Sequence, residues 1–160
     1  GEYGTFLCKM FDEWMSAEQQ RVSVSPLDIY LKAIVDDEPY RCQQRVTCVG
    51  SHLGVKPSGD AVLCSRFSTQ IIGNLHDMPL EALYDAPLCT KITRRVETLT
   101  GCHSCAYWSV CHGGCPHNAL IFSNDCMTKD YFCKDYQLIF GRLRHSLREC
   151  VPQRPVQGGS

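Results

Sequence analysis

The chain has no apolar run of membrane-spanning length, which excludes a transmembrane helix within its 160 residues. Gly1 to Thr5 have neither the positive start nor the apolar stretch of a secretory signal. Charge of one sign is missing as well: 16 Lys and Arg against 17 Asp and Glu leave a net charge of −1. Neither nucleic acid nor an anionic membrane therefore has an electrostatic claim as the main partner. The basic groups at Lys91, Arg94, Arg95 and at Arg142, Arg144, Arg148 read as solvated helix faces. Length is also in short supply, because a complete (β/α)8 barrel takes roughly 200 residues or more. At most one domain and a piece of another fit. With Gly rather than Met at position 1, the expectation is a soluble, cytoplasmic fragment of a longer protein.

Cysteine is what the chain has in excess, at twelve residues. Such a density admits disulfides, zinc or iron–sulfur clusters. Disulfides need an oxidising compartment, and nothing in the sequence points to export. Cys102-x2-Cys105 is a chelating pair that both zinc and iron–sulfur centres use. Cys111-x3-Cys115 followed by Pro116 tells more, because a ligating Cys before Pro recurs in ferredoxin-like runs. Gly113 and Gly114 between them let backbone approach a bulky centre closely, which a single zinc ion would not require.

Periodicity organises the rest. Tyr3, Phe6, Leu7, Met10, Phe11, Trp14 and Met15 recur at helical spacing and predict an amphipathic helix with a wide apolar face. Val22 and Val24 alternate as a short strand does. Ser25, Pro26 and Asp28 then supply an N-cap, a proline at N1 and an acidic N3 before the helical pattern Leu27, Tyr30, Leu31, Ile34, Val35. Helix, strand, helix is the way an α/β layer ends. Beyond Pro39 short elements hang between cysteines. Leu53–Lys56, the turn Pro57–Asp60 and Ala61–Cys64 predict a β-hairpin whose second strand delivers Cys64. Pro79–Tyr84 and Leu88–Leu99 read as helices, the second with Leu88, Ile92, Val96 and Leu99 on one face. Residues 101–118 have almost no apolar periodicity and depend on ligation for their shape. A last helix begins at Cys133 and turns Tyr136, Ile139, Phe140, Leu143 and Leu147 inward. The Pro-, Gly- and Gln-rich residues 151–160 are expected to be a disordered tail. The fold class is α+β: a small cysteine-pinned domain with a two-stranded hairpin and surrounding helices, preceded by the last α/β elements of a barrel.

The order Cys42-x5-Cys48-x10-Gly59-x4-Cys64, gap, Cys102-x2-Cys105-x5-Cys111-x3-Cys115, gap, Cys133 resembles that of the SPASM domain. This is the auxiliary-cluster domain of radical S-adenosylmethionine peptide and protein maturases. Val55-Lys56-Pro57-Ser58-Gly59-Asp60, Ile72-Gly73-Asn74-Leu75 and Cys111-His112-Gly113-Gly114-Cys115-Pro116 are similar to that family's text as well. The resemblance covers residues 39–150, and residues 1–38 look like the C-terminal end of the radical S-adenosylmethionine barrel. It implies two [4Fe–4S] clusters, one held by Cys42, Cys48, Cys64 and Cys115, the other by Cys102, Cys105, Cys111 and Cys133. Cys126 is the rival for the place of Cys133, which the family spacing favours. Cys8, Cys89 and Cys150 have no place in the pattern, and Cys8 reads as a small hydrophobe on the first helix. His103, His112 and His117 read as neighbours of the thiols rather than ligands, and Tyr107 and Trp108 as core that could alternatively shield the second cluster.

Two departures from the family matter. The Cys-x3-Cys-x2-Cys motif that cleaves S-adenosylmethionine is missing, because Asn118 stands where its third cysteine would follow Cys111 and Cys115. No catalytic residue is assigned, and S-adenosylmethionine with a third [4Fe–4S] cluster is expected only in a missing N-terminal barrel. The residue after Cys64, an Asp in anaerobic sulfatase maturases suggested to act as a base, is Ser65 here. That turns the expectation from formylglycine formation toward modification of a ribosomally made peptide, such as side-chain cross-linking. The implied function is to relay an electron from a substrate radical and help form the peptide site. The implied partners are the substrate peptide or protein, the chain's own barrel, and an external flavodoxin- or ferredoxin-type protein. A structural zinc-binding four-cysteine module is the alternative, and a free-standing electron carrier a third reading.

Overall fold

The computed structural model describes residues 1–17 and 22–150. The tail predicted at 151–160 lies outside the described residues. The fold is α+β, with two apolar cores and the cysteine segments between them.

The first core is helical. Helix α1 (Glu2–Ser16) buries Leu7 and Phe11, and α2 (Leu27–Asp36) buries Leu27, Tyr30, Ala33 and Ile34. Both pack on the long C-terminal helix, Cys133–Cys150, named α8 below in chain order. Its buried face is Tyr136, Ile139, Phe140 and Leu143, with Leu147 partly buried, as the periodicity predicts. Tyr30 and Phe140 meet edge to face with ring centroids 5.3 Å apart. The apolar face of α1 is only half used: Phe6 and Tyr3 remain exposed. Gly4 is the contact point with α8, since a Cβ there would stand 2.7 Å from the backbone of Asp135. Its amide donates to the Asp135 carboxylate.

The start of α2 departs from expectation in two ways. Val22 and Val24 form no strand. The three strands of the sheet lie in the other lobe, and two residues without a partner ladder cannot hold extended pairing. Ser25 is not the cap either; Pro26 occupies that place without a side-chain bond. The Asp28 carboxylate instead accepts the Ile29 amide at 2.8 Å and the Ser23 hydroxyl.

The second core lies under a small antiparallel sheet. Strands β1 (Gly54–Val55) and β2 (Asp60–Val62) make the predicted hairpin, with Gly54 opposite Val62 and Val55 opposite Ala61. Gly59 takes φ +84° in the turn, which only glycine adopts without strain. The hairpin is not alone: β3 (Ile71–Asn74) adds to β2, so the sheet has three strands in the order β1-β2-β3. Cys64 falls just past β2, where it caps the 3-10 turn Ser65–Phe67. Ala61, Leu63, Phe67, Ile72, Leu83, Cys89 and Ile92 fill the core beneath.

The two middle helices also differ in detail. Leu80–Asp85 is a 3-10 helix, and the second segment divides at Arg94 into α3 (Pro87–Thr93) and α4 (Arg95–Thr98). Short helices α5 (Thr100–His103), α6 (Trp108–Cys111) and α7 (Pro116–Ser123) then connect the cysteines before α8.

Candidate metal centre

Several of the eight candidate thiols sit at element boundaries. Cys42 opens the 3-10 turn Cys42–Gln44, Cys64 follows β2, and Cys115 is the N-cap residue of α7. The thiols whose charges bear on Cys48 are those of Cys115, Cys64 and Cys42, so these four are gathered into one neighbourhood. Burial first, and then those three neighbours, push the Cys48 thiol up to about 12. Donors surround the remaining member of the set. Arg66 Nη1 lies 4.0 Å from Cys115 Sγ, and the backbone N–H groups of His117 and Asn118 also point at that thiol.

Cys102, Cys105, Cys111 and Cys133 line one hollow together with Tyr107, Trp108, Tyr136, Gln137 and Phe140. Burial pushes Cys111 up to about 12, with the Gly113 N–H on its sulfur and Cys133 and Cys102 among its charged neighbours. Gln137 Nε2 donates to Cys105 Sγ at 3.8 Å. Trp108, expected in the core, is half-exposed on the hollow's wall, its ring flanked by His103 and His112 with centroids 4.6 and 4.9 Å away. His103 and His112 bond the carbonyls of Val96 and Gln44, both at 2.8 Å, while His117 lies edge-on to Phe67.

The donor sets fit a polynuclear centre. Four sulfurs around a single zinc would each stand about 2.3 Å from one point. Among the described residues no three His, Cys, Asp or Glu groups converge closely enough to grip one ion. The second set lines one hollow together with aromatic rings and an amide donor, and hydrogen bonds to sulfur are a means of tuning a thiolate-held cluster. Cys126 is buried and does not line that hollow. Cys8 is half-buried against the helical core and Cys89 fully buried in the core under the sheet.

Between the two sets lie groups that sequence reasoning missed. Asp130 is 1% exposed, and its carboxylate accepts the Cys115 amide at 2.7 Å, the Phe132 amide at 2.9 Å, the Asn118 side chain and the Tyr136 hydroxyl. No periodicity marks it. Arg95, read above as a solvated cation, is only 4% exposed. Its spacing gave a usable signal, because position 95 falls between Ile92 and Leu99 on the buried face. Arg94 and Lys91 are exposed as expected.

Comparison with known proteins agrees with this geometry. Residues 42–106 match the SPASM family, described as an iron–sulfur cluster-binding domain. The chain is 28% identical over 145 residues to the serine-type anaerobic sulfatase-maturating enzyme of Bacteroides thetaiotaomicron, covering 87% of this chain and 34% of that enzyme. It is 24% identical over 146 residues to the cysteine-type enzyme of Clostridium perfringens, covering 87% and 39%. The chain thus spans little more than a third of these relatives. A solved structure described as native anSMEcpe with bound AdoMet and Kp18Cys peptide superposes with a TM-score of 0.74 at 23% identity, over 92% of this chain and 42% of that one. Over residues 42–106 the chain is thus similar to the SPASM family of iron–sulfur cluster-binding domains.

Proposed function

We propose that this chain is the auxiliary-cluster portion of a radical S-adenosylmethionine maturase acting on a ribosomally made peptide or protein. Residues 1–38 would be the end of its barrel and residues 39–150 its SPASM domain. Cys42, Cys48, Cys64 and Cys115 would hold one [4Fe–4S] cluster, and Cys102, Cys105, Cys111 and Cys133 the other. The observation that carries this reading is the division of eight thiols into two neighbourhoods of four. When bound, clusters with four thiolates have no open iron and supply one-electron transfer, here acceptance of the electron a substrate radical loses on closing a new bond.

The chain's own residues would do the rest. Arg41, Gln43, Arg66, Tyr30 and Tyr136 line a cleft that reaches the first thiol set through Arg66. Arg66 Nη1 donates to Asn118 Oδ1 at 2.9 Å, and the Arg41 guanidinium lies 5.7 Å from the centre of the Tyr30 ring. Among the described residues neither arginine is ion-paired. Such a cleft can orient a peptide by its carbonyls or carboxylates. A peptide accompanies the solved relative, which supports a peptide partner here. Ser65, exposed beside Cys64, has no carboxylate with which to take a proton, so a product other than formylglycine is favoured. The barrel and an external flavodoxin- or ferredoxin-type protein would be the other partners. Among the described residues no helix is long and apolar enough to cross a membrane.

The test is product formation by the full-length protein carrying Cys64→Ala or Cys102→Ala. Loss of modified peptide with S-adenosylmethionine cleavage retained is expected. Normal product from both variants contradicts the relay.

A further inference from the structure

Arg95 is a buried cation with no carboxylate against it. Its guanidinium donates to the carbonyls of Gly113 and Gly114 at 2.9 and 2.8 Å and of Thr128 at 2.6 and 3.2 Å. All of these acceptors are neutral, and among the described residues Arg95 makes no ion pair. Burying a charge this way is costly unless negative charge is supplied nearby.

The place of that cation is specific. The Gly113–Gly114 turn it grips joins Cys111 of one thiol set to Cys115 of the other. Both glycines need their freedom, with φ +81° and +72°, and a Cβ on Gly113 would stand 2.3 Å from Leu99 Cδ1. The charged neighbours of Arg95 are Asp130, then the thiols of Cys115 and Cys48 from the first set and Cys102 from the second. Asp130 stands across the same turn, its backbone amide on the Gly113 carbonyl at 2.8 Å and its carboxylate engaged by its own four donors. Asp130 offsets part of the Arg95 charge, and the loaded centres on either side would supply the rest.

We propose that Arg95 is a positioning residue shared by both clusters, whose fixed positive charge favours the reduced state of each while its fork holds the turn between them. The proposal rests on the two-cluster reading above. One cation facing both sets predicts that both potentials move together, whereas a mere clamp on the turn predicts no shift at constant iron. The neighbouring Arg94 is exposed and pairs with Glu97, and so serves as the control.

The experiment is an EPR-monitored redox titration of the anaerobically reconstituted full-length protein and its Arg95→Gln, Arg95→Lys and Arg94→Gln variants. The parent's iron count is read first and tests the two-cluster reading by itself. With parental iron, Arg95→Gln is expected to lower the equilibrium constant for reduction of both auxiliary clusters about tenfold, ~59 mV each. Arg95→Lys and Arg94→Gln are expected to stay close to the parent. Unchanged potentials in Arg95→Gln, or a shift in one cluster only, overturn the proposal. Should Arg95→Gln lose iron, Arg95→His decides at parental iron: both potentials must fall more steeply than the parent's as rising pH removes the imidazole's charge, and pH profiles parallel to the parent's overturn the proposal.

Discussion

The two thiol sets are assembled by different means. Cys42, Cys48, Cys64 and Cys115 come from a 3-10 turn, a loop, the end of a hairpin and the start of a helix, and Cys48 and Cys64 pack on the core under the sheet. Cys102, Cys105, Cys111 and Cys133 stand close in sequence. Tight turns connect them, with Cys105 N–H on the Cys102 carbonyl at 2.9 Å and Trp108 N–H on that of Cys105 at 3.0 Å, and Cys111 packs on the helical core. Closing a loop costs more entropy as it lengthens, though slowly. The first set accordingly depends on the sheet lobe being folded, while the second can be gathered by local turns once α8 supplies Cys133. Each set leans on its own core, and the Gly113–Gly114 turn with Arg95 and Asp130 helps tie them together.

Seven substitutions break or sharpen that contrast. Cys133→Ser should remove one cluster, about four of eight irons, whereas Cys126→Ser should remove none, as iron quantitation of each variant will read. Phe67→Ala and Phe140→Ala, both in fully buried positions, should each cost about 3–5 kcal/mol. The sharper readout is EPR, where Phe67→Ala should deplete the signal of the first set and Phe140→Ala that of the second. Gly114→Ala combines φ +72° with a Cβ 2.4 Å from Asp130 Cβ, and about 2–3 kcal/mol of destabilisation is expected in denaturant titration. Gly50→Ala, with φ +82° and nothing within 4 Å, should cost only about 1 kcal/mol. Smallest of all is Arg94→Ala: its exposed i,i+3 pair with Glu97 contributes nothing measurable to the same titration.

What the sequence revealed follows from how each feature is encoded. Helices α1 and α8 carry apolar residues at helical spacing over several turns, and the Pro57–Asp60 turn carries its glycine, so all three were legible. Strand β3 was not, because Ile71 and Ile72 are followed by Gly73 and Asn74, a pattern with no alternation. Gly73 is there for closeness, since a Cβ would meet Leu83 Cδ2 at 2.5 Å. The Val22–Val24 alternation misled because alternation alone supplies no pairing partner. The family resemblance of the thiol order implied the two sets, but Asp130, Asn118 and Arg66 act through contacts across the chain, and a lone polar residue announces no such contact.

The central claim is that eight thiols of this chain hold two four-iron clusters. Anaerobic iron and sulfide quantitation with a visible spectrum, before and after dithionite, tests it most directly. The account predicts about eight irons and eight sulfides per chain with bleaching on reduction. A colourless protein carrying stoichiometric zinc would contradict it.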